Sequence, residues 1–508
     1  MSDNTDRGAG AMKHHADERS LGEQVLASAL WMGGWRWTER VLGLVSTVVI
    51  ARLLLPQDLG IIATALVVIA MFDIFIELGT DRYLILLPST ERADYDTAWT
   101  LRLAIIAVAS GVIFFSAQIA AGYFNDPRLA AVLRVLAVGS LLRGFTNIGL
   151  TIYRRDLRFA RIALVGVAQR IVGFVVTVAL AIALENYWAM VIGEVCSRLA
   201  EVALSYLVQP YRPRFSVRHL RKQWQFSKWI VTRNVAGFAH GWGDQFLAAK
   251  FFGLEAIGFF SMALRLAEAP TRFLIAPMSM PLYSGLAKKQ HDRAQFERGL
   301  LQAIGATCVI ILPAATLAAA LAQPLVSGLF GAKWQAVVPL VAPLVFTVTA
   351  AVVIEPATTA LILVGRARLL AMLEWISAIA AFSIMLTAAR LLSFEQFAYT
   401  RMLLALLLVC IGYACTAAAL RLSWRRLAAC FYRPLIASAV MAVVMATVIG
   451  RFPGTWLTIA LCTVLGGVTY VTVAYVLWRI AAAPDAGEAL LVRKVLLLFG
   501  RKVKGAGT

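Results

Sequence analysis

The chain has no GxxxxGK(S/T) loop, no HExxH pair and no CxxC, and each absence closes a class of function. Without the first there is no Walker-type nucleotide site to drive transport or ligation. Without the others there is neither a zincin-type centre nor a redox or zinc-ribbon pair. The six cysteines, Cys196, Cys308, Cys410, Cys415, Cys430 and Cys462, fall in or beside apolar stretches rather than in a loop framework, so neither disulfides nor a metal cluster are expected. Acidic residues are scarce, 28 against 48 Lys and Arg. Long hydrophilic stretches are missing too. The largest polar connection, 210–227, is too short for a separate catalytic domain, and the expectation is a chain that is not an enzyme and needs no cofactor. Alternation of the kind a β-barrel requires is also absent.

What is there is apolar. Hydrophobic residues make up 60% of the 508, and the mean hydropathy is +0.76. A soluble chain of this size needs more polar surface. Apolar windows of ~20 residues, enough to span a bilayer as helix, recur throughout, and lipid leaves free backbone groups no other partner. The sequence therefore predicts an all-α polytopic membrane protein. Its fourteen helices fall at roughly 24–52, 58–79, 97–122, 129–151, 160–184, 187–209, 226–251, 254–282, 299–323, 335–364, 368–390, 396–420, 431–450 and 455–478, with twelve as the alternative count. The first segment, 24–50, is too long for a signal-peptide core.

The formal charge of +20 would suggest nucleic acid in a soluble chain, but here its distribution gives topology instead. Alternate connections are strongly basic, as in "YRRDLRFAR" (153–161) and "RPRFSVRHLRKQWQFSK" (212–228). The opposite connections hold only Arg52, Arg128, Lys250, Lys333, Arg390 and Arg451. An even number of spans with both termini cytoplasmic follows, with no nucleic-acid partner. The expected divisions are a tail (1–23), an N-terminal lobe (24–209), a cytoplasmic linker (210–227), a C-terminal lobe (228–421), two further helices (422–479) and a basic amphipathic tail (480–508) that suits anionic membrane lipids.

An internal repeat supports the two lobes. "ARLLLPQDLGIIATA" (51–65) and "AKFFGLEAIGFFSMA" (249–263) hold a constant offset of 198, pairing Gly43 with Gly241, Ala51 with Ala249, Arg52 with Lys250, Gly60 with Gly258 and Ala65 with Ala263. A fainter echo pairs 157–165 with 365–373. Six helices separate the copies, so both halves share one orientation. Parallel repeats of this kind make a transporter with a cavity between two bundles.

Charges inside the spans are the candidate functional residues: Arg36, Arg40, Arg102, Arg134, Arg143, Arg170, Arg198, Arg233, Arg265, Arg272 and Arg401. Each costs ~2.5–3.5 kcal/mol at a helix centre, so partners or an aqueous cavity are required. Arg102, Arg134 and Arg401 lie near expected ends and can snorkel. Glu194 is one turn from Arg198, and Glu268 one turn from Arg265 and Arg272, which permits local pairing. Arg36, Arg40 and Arg143 have no such neighbour, since Glu39 points about 100° from Arg40. A cationic cavity of Arg36, Arg40, Arg143, Arg233, Arg265 and Arg272 would suit an anionic cargo such as a pyrophosphate, which arginine grips bidentately. Asp73, Glu77, Asp244 and Glu268 are candidates for ion coupling, with compensation of the arginines as the competing role. His240 lies one turn from Asp244.

The AR-L-x-P-x-x-x-G junction at 51–60 and the E-L-G at 77–79 carry a resemblance. The chain resembles the polysaccharide-transporter branch of the multidrug/oligosaccharidyl-lipid/polysaccharide exporter superfamily, the Wzx-type flippases of O-antigen and exopolysaccharide repeat units. The resemblance implies fourteen helices in two parallel-repeat six-helix lobes plus two C-terminal helices. It also implies movement of an undecaprenyl-pyrophosphate-linked, anionic oligosaccharide by alternating access, with polymerase and chain-length proteins as possible pathway partners. Arginines of the first and eighth helices bind pyrophosphate in related flippases, and Arg36, Arg40, Arg265 and Arg272 occupy those helices here. Two rivals remain: a multidrug exporter, which calls for an acid-dominated cavity, and a membrane glycan polymerase or ligase, which calls for a large outward loop.

Overall fold

The computed structural model describes residues 34–35, 37–76, 79–87, 89–156, 158–225, 227, 234, 238, 241–271, 274, 286–287, 292–451 and 456–481. Every regular element among them is helical. Ten helices among the described residues are long and apolar enough to cross a bilayer, and the chain is a multi-pass membrane protein. Two compact units, Met1–Trp242 and Gly243–Thr508, make up the chain.

The first unit runs α1 (37–53), α2 (Pro56–Ile76), α3 (Thr80–Leu86), α4 (Arg92–Tyr123), α5 (Arg128–Gly144), α6 (Leu150–Arg155), α7 (Phe159–Leu184) and α8 (Trp188–Val208). Small residues bring these helices together, because lipid supplies no hydrophobic drive and close van der Waals contact must replace it. A methyl added to Gly173 of α7 would lie 2.9 Å from Ser197 of α8, and one added to Gly193 would overlap Thr177. Gly144 meets Leu103 of α4 in the same way. α5, at 17 residues, is too short to count among the ten, and α8 is too charged, carrying Glu194, Arg198 and Glu201.

The expected helix over 129–151 ends instead at Gly144. Asn147 explains the break. Its Oδ1 accepts the Gly149 N–H at 2.9 Å, an Asx-type turn that competes with helical pairing. Between α4 and α5, Asp126 accepts from the Arg128 backbone N–H at 2.8 Å and from its guanidinium at 2.7 Å, which fixes the start of α5. The Arg128 hydrogen bonds hold the Asp126 carboxyl below its ordinary range despite partial burial.

The second unit runs α9 (Gly243–Pro270), α10 (Arg293–Ala320), α11 (Val338–Val353), α12 (Glu355–Leu363), α13 (Ala367–Leu391), α14 (Phe394–Leu420), α15 (Trp424–Arg451) and α16 (Trp456–Ile480). Asp292 caps α10 through the Ala294 and Gln295 N–H groups, and Ser393 with Gln396 forms a capping box on α14. On α10, Leu300, Ile304, Cys308 and Ile311 recur at helical spacing and are fully buried against Val353, Ala360 and Tyr413. Pro313 has no N–H for the Val309 carbonyl four residues back, and the Tyr470 hydroxyl of α16 donates to it at 2.9 Å. The expected helix over 335–364 is split at Ile354, just ahead of Pro356, and there the Tyr413 hydroxyl donates to Val353 O at 2.6 Å.

Each unit has a helix break at the position where the sequence repeat falls. α1 breaks from α2 at 54–55, and α9 is interrupted by Gly253 (φ 83°), 198 residues after Leu55. The repeated alanines Ala51, Ala65, Ala249 and Ala263 are all buried.

Tyr470→Phe leaves a buried carbonyl bare and should lower stability by about 1–3 kcal/mol, read as a lower melting temperature in detergent. A second expectation concerns pH. Because folding lowers the Asp126 pKa, its contribution is complete above the unfolded value, about 3.9, and is lost as pH falls through the folded value. The melting gap between the wild type and Asp126→Asn should therefore close on acidification below that range.

Candidate functional site

The embedded charges are best followed from the helices that hold them. Asp73 lies near the C-terminal end of α2 and Arg143 in the last turn of α5, and they form an ion pair at 3.7 Å. Each side chain keeps about 40% of its exposure (40% and 39%), so the pair is loose and accessible. Arg143 is expected to have no acid one turn away on its own helix; its partner comes from another helix, which spacing along one helix cannot show. Arg198 is answered as expected on its own helix, by Glu194 at 2.8 Å and Glu201 at 3.2 Å, with Gln169 of α7 donating to Glu201 at 3.3 Å.

In the second unit Asp244, on the first turn of α9, is ion-paired with Arg401 of α14. Both side chains are buried, at 7% and 14% exposure, and the guanidinium also lies 5.6 Å over the Phe260 ring. Arg401 thus does not snorkel to an interface. It is held inside by an acid and an aromatic ring from α9. Arg102 departs from the same expectation, donating to the Thr146 carbonyl at the broken end of α5. Arg134 is exposed, 6.0 Å over Phe114.

Of the remaining candidates, Arg40 is half-buried on α1 with its guanidinium 5.8 Å over Trp37. Arg265 is exposed and Glu268 half-buried on α9. Arg36, Glu77, Arg233, His240 and Arg272 lie outside the described residues. Asp73 and Asp244 each meet an arginine, the role expected of charge compensation.

Sequence reading missed a polar cluster where the chain leaves α8. Asn147 Nδ2 donates to the Gln209 and Tyr211 carbonyls at 3.1 and 2.7 Å, and Gln209 Nε2 returns to Gly149 O at 2.8 Å. Asp96, on the first turns of α4, accepts from the Tyr211 hydroxyl at 2.6 Å and the Arg214 N–H at 2.9 Å. Asp94 meets His219 Nδ1, and its carbonyl accepts from Gln223 at 2.9 Å. Burial first and the Asp96 hydrogen bond second push the Tyr211 phenol well up. The signal was present: two of the few acids stand at the head of α4, and the most basic connection in the chain docks there.

Comparisons with known proteins agree with this architecture. Residues 49–339 match the polysaccharide biosynthesis protein family, a span running from α1 into α11. The succinoglycan biosynthesis transport protein ExoT of Rhizobium meliloti is 24% identical over 292 residues, 57% of this chain and 59% of that protein. The lipopolysaccharide biosynthesis protein WzxC of Escherichia coli is 21% identical over 329 residues, 63% of this chain and 66% of that one. The match thus spans less than two thirds of the length of either relative. Among solved structures, an inward closed conformation of the lipid II flippase MurJ superposes with a TM-score of 0.68 at 13% identity, covering 90% of this chain and all of that one. An inward-facing multidrug transporter of the MATE family gives 0.60 at 14%, covering 75% and 94%. These two likenesses concern the fold.

The two acids should respond differently to mutation. Asp244→Ala strands a buried guanidinium and should cost about 3–5 kcal/mol, whereas Asp73→Ala, at an open pair, should cost about 0–1 kcal/mol. Melting of both purified variants in one detergent checks the contrast.

Proposed function

The chain belongs to the polysaccharide biosynthesis protein family, and on that premise we propose that it flips lipid-linked oligosaccharide repeat units across the bacterial inner membrane. The cargo is an undecaprenyl-pyrophosphate-linked, anionic glycan destined for exopolysaccharide, capsule or lipopolysaccharide O-antigen. The proposed layout is fourteen helices with both termini cytoplasmic, working by alternating access. The arginines proposed to take the pyrophosphate are Arg36, Arg40, Arg143, Arg233, Arg265 and Arg272. Basic forks suit it because each guanidinium presents paired N–H donors to phosphoryl oxygens.

One observation carries this reading: the span matching the family, 49–339, runs through both units and includes Arg143 on α5 and Arg265 on α9. The Asp73–Arg143 and Asp244–Arg401 pairs weigh against an exporter of organic cations, since such cargo needs acids left for it. The short connections likewise weigh against a polymerase or ligase.

Deleting the gene should abolish surface polysaccharide and accumulate lipid-linked repeat units on the inner leaflet. Accumulation on the outer leaflet would point to polymerisation instead. Arg40→Ala and Arg265→Ala, expressed at wild-type level, should each reduce surface polysaccharide about tenfold, the loss of one charge-assisted contact. Normal polysaccharide in both variants would overturn the assignment of these arginines.

A further inference from the structure

The connection that leaves α8 is turned inside out. Residues 209–225 contain no acid and five basic residues, Arg212, Arg214, Arg218, Arg221 and Lys222. Toward the head of α4 the connection presents polar side chains. The Tyr211 hydroxyl donates to Asp96 at 2.6 Å, Ser216 accepts from Thr97 at 3.3 Å, His219 meets Asp94, and Gln223 donates to the Asp94 carbonyl at 2.9 Å. The backbone is pinned to the same helix, with the Arg214 N–H on Asp96 at 2.9 Å and the Ser216 N–H on Thr100 at 3.0 Å. The apolar side chains go the other way. Val217 is 67% exposed and Trp224 47%, and Phe215 is 76% exposed although its ring meets Trp99 at 5.2 Å. Leu220 is exposed beside them. A connection surrounded by water would bury these groups and wet the polar ones. All five basic residues are exposed on the free side as well. Among the described residues, the side chains of Arg214, Arg218, Arg221 and Lys222 make no hydrogen bond or ion pair.

Depth decides what lies opposite this face. α4 has 32 residues, about 48 Å of helix against a hydrocarbon core of about 30 Å. Its exposed apolar residues Val108, Val112, Phe115 and Ile119 lie in its second half, and its charges Arg92, Asp94, Asp96 and Arg102 lie in its first three turns. The surplus length therefore stands at the N-terminal end. Asp94–Thr100 falls at headgroup level, and the hydrogen bonds above hold the connection there instead of letting it project into solvent. Aromatic and basic side chains on the free side of an interfacial segment match one kind of surface, a layer of anionic lipid headgroups over acyl chains. A soluble acidic protein would meet the charges, but not at a depth that lipid headgroups already occupy.

We propose that 209–225 is a strap that binds anionic phospholipid. Docked on α4 by its polar side, it lays Arg214, Arg218, Arg221 and Lys222 against lipid phosphates of the cytoplasmic leaflet and turns Phe215, Val217 and Trp224 into the acyl boundary. The strap uses the cytoplasmic orientation proposed above for this connection and is independent of the cargo.

The test is hydrogen–deuterium exchange of peptides from 209–225 in the full chain, in nanodiscs of phosphatidylcholine alone or mixed with phosphatidylglycerol. Both leaflets carry the same lipid there, so the outcome does not depend on orientation. Phosphatidylglycerol should slow exchange of the connection about tenfold, and raising salt to about 0.5 M should remove most of that slowing. The combined variant Arg214→Gln, Arg218→Gln, Arg221→Gln and Lys222→Gln should exchange as the wild type does in phosphatidylcholine, because docking rests on other side chains, and should not respond to phosphatidylglycerol. Phe215→Ser with Trp224→Ser should respond more weakly than the wild type. Equal exchange of the wild type in both lipids overturns the strap, as does an undiminished response in the combined variant. Should that variant fail to fold, an undiminished response in Arg221→Gln with Lys222→Gln overturns it equally. Slowing by added polyglutamate in phosphatidylcholine, with none by phosphatidylglycerol, would give the surface to an acidic protein and overturn the lipid.

Discussion

Hydrocarbon offers neither a hydrogen-bond partner nor a counter-ion, and that constraint organises this protein. Each polar group within the spans has to be answered from another part of the chain, and the answers tie distant helices together. The Val309 carbonyl freed by Pro313 is met by Tyr470. Asp244 is met by Arg401, and Asp73 by Arg143. Such contacts add modest energy individually, yet leaving one partner unmet is expensive, so they specify which helices lie side by side.

The two units share a scaffold without sharing its charges. The break between α1 and α2 and the interruption at Gly253 hold the same register, and the alanines around them are buried in both copies. The acid–arginine pairs do not follow the offset of 198: Asp73 corresponds to Thr271, and Arg143 to Val341. Backbone approach is thus the repeated element, and charge has been placed on each unit separately.

The match to known proteins fits this division. The fold is shared with a lipid II flippase at 13% identity, because small residues, breaks and apolar spans can be met by many sequences. The family match covers 49–339, where the repeated junctions stand. Chemistry within the fold rests on fewer residues.

The sequence by itself determined the helical membrane class and most helix positions. Apolar length, lysine and arginine asymmetry and a constant offset are properties read along one chain. It also found Arg198 with Glu194, because partners on one helix recur at fixed spacing. It misjudged Arg401 and Arg102 and missed Asp94 and Asp96, since whether a long side chain reaches an interface, an acid or a carbonyl depends on what another helix brings near. The ends of α5 and α11 were hidden for the same reason, with Asn147 and Tyr413 acting through side chains. Only tertiary structure decided which charges cancel and which stand unanswered, because a guanidinium finds its counter-charge through space and not along the chain.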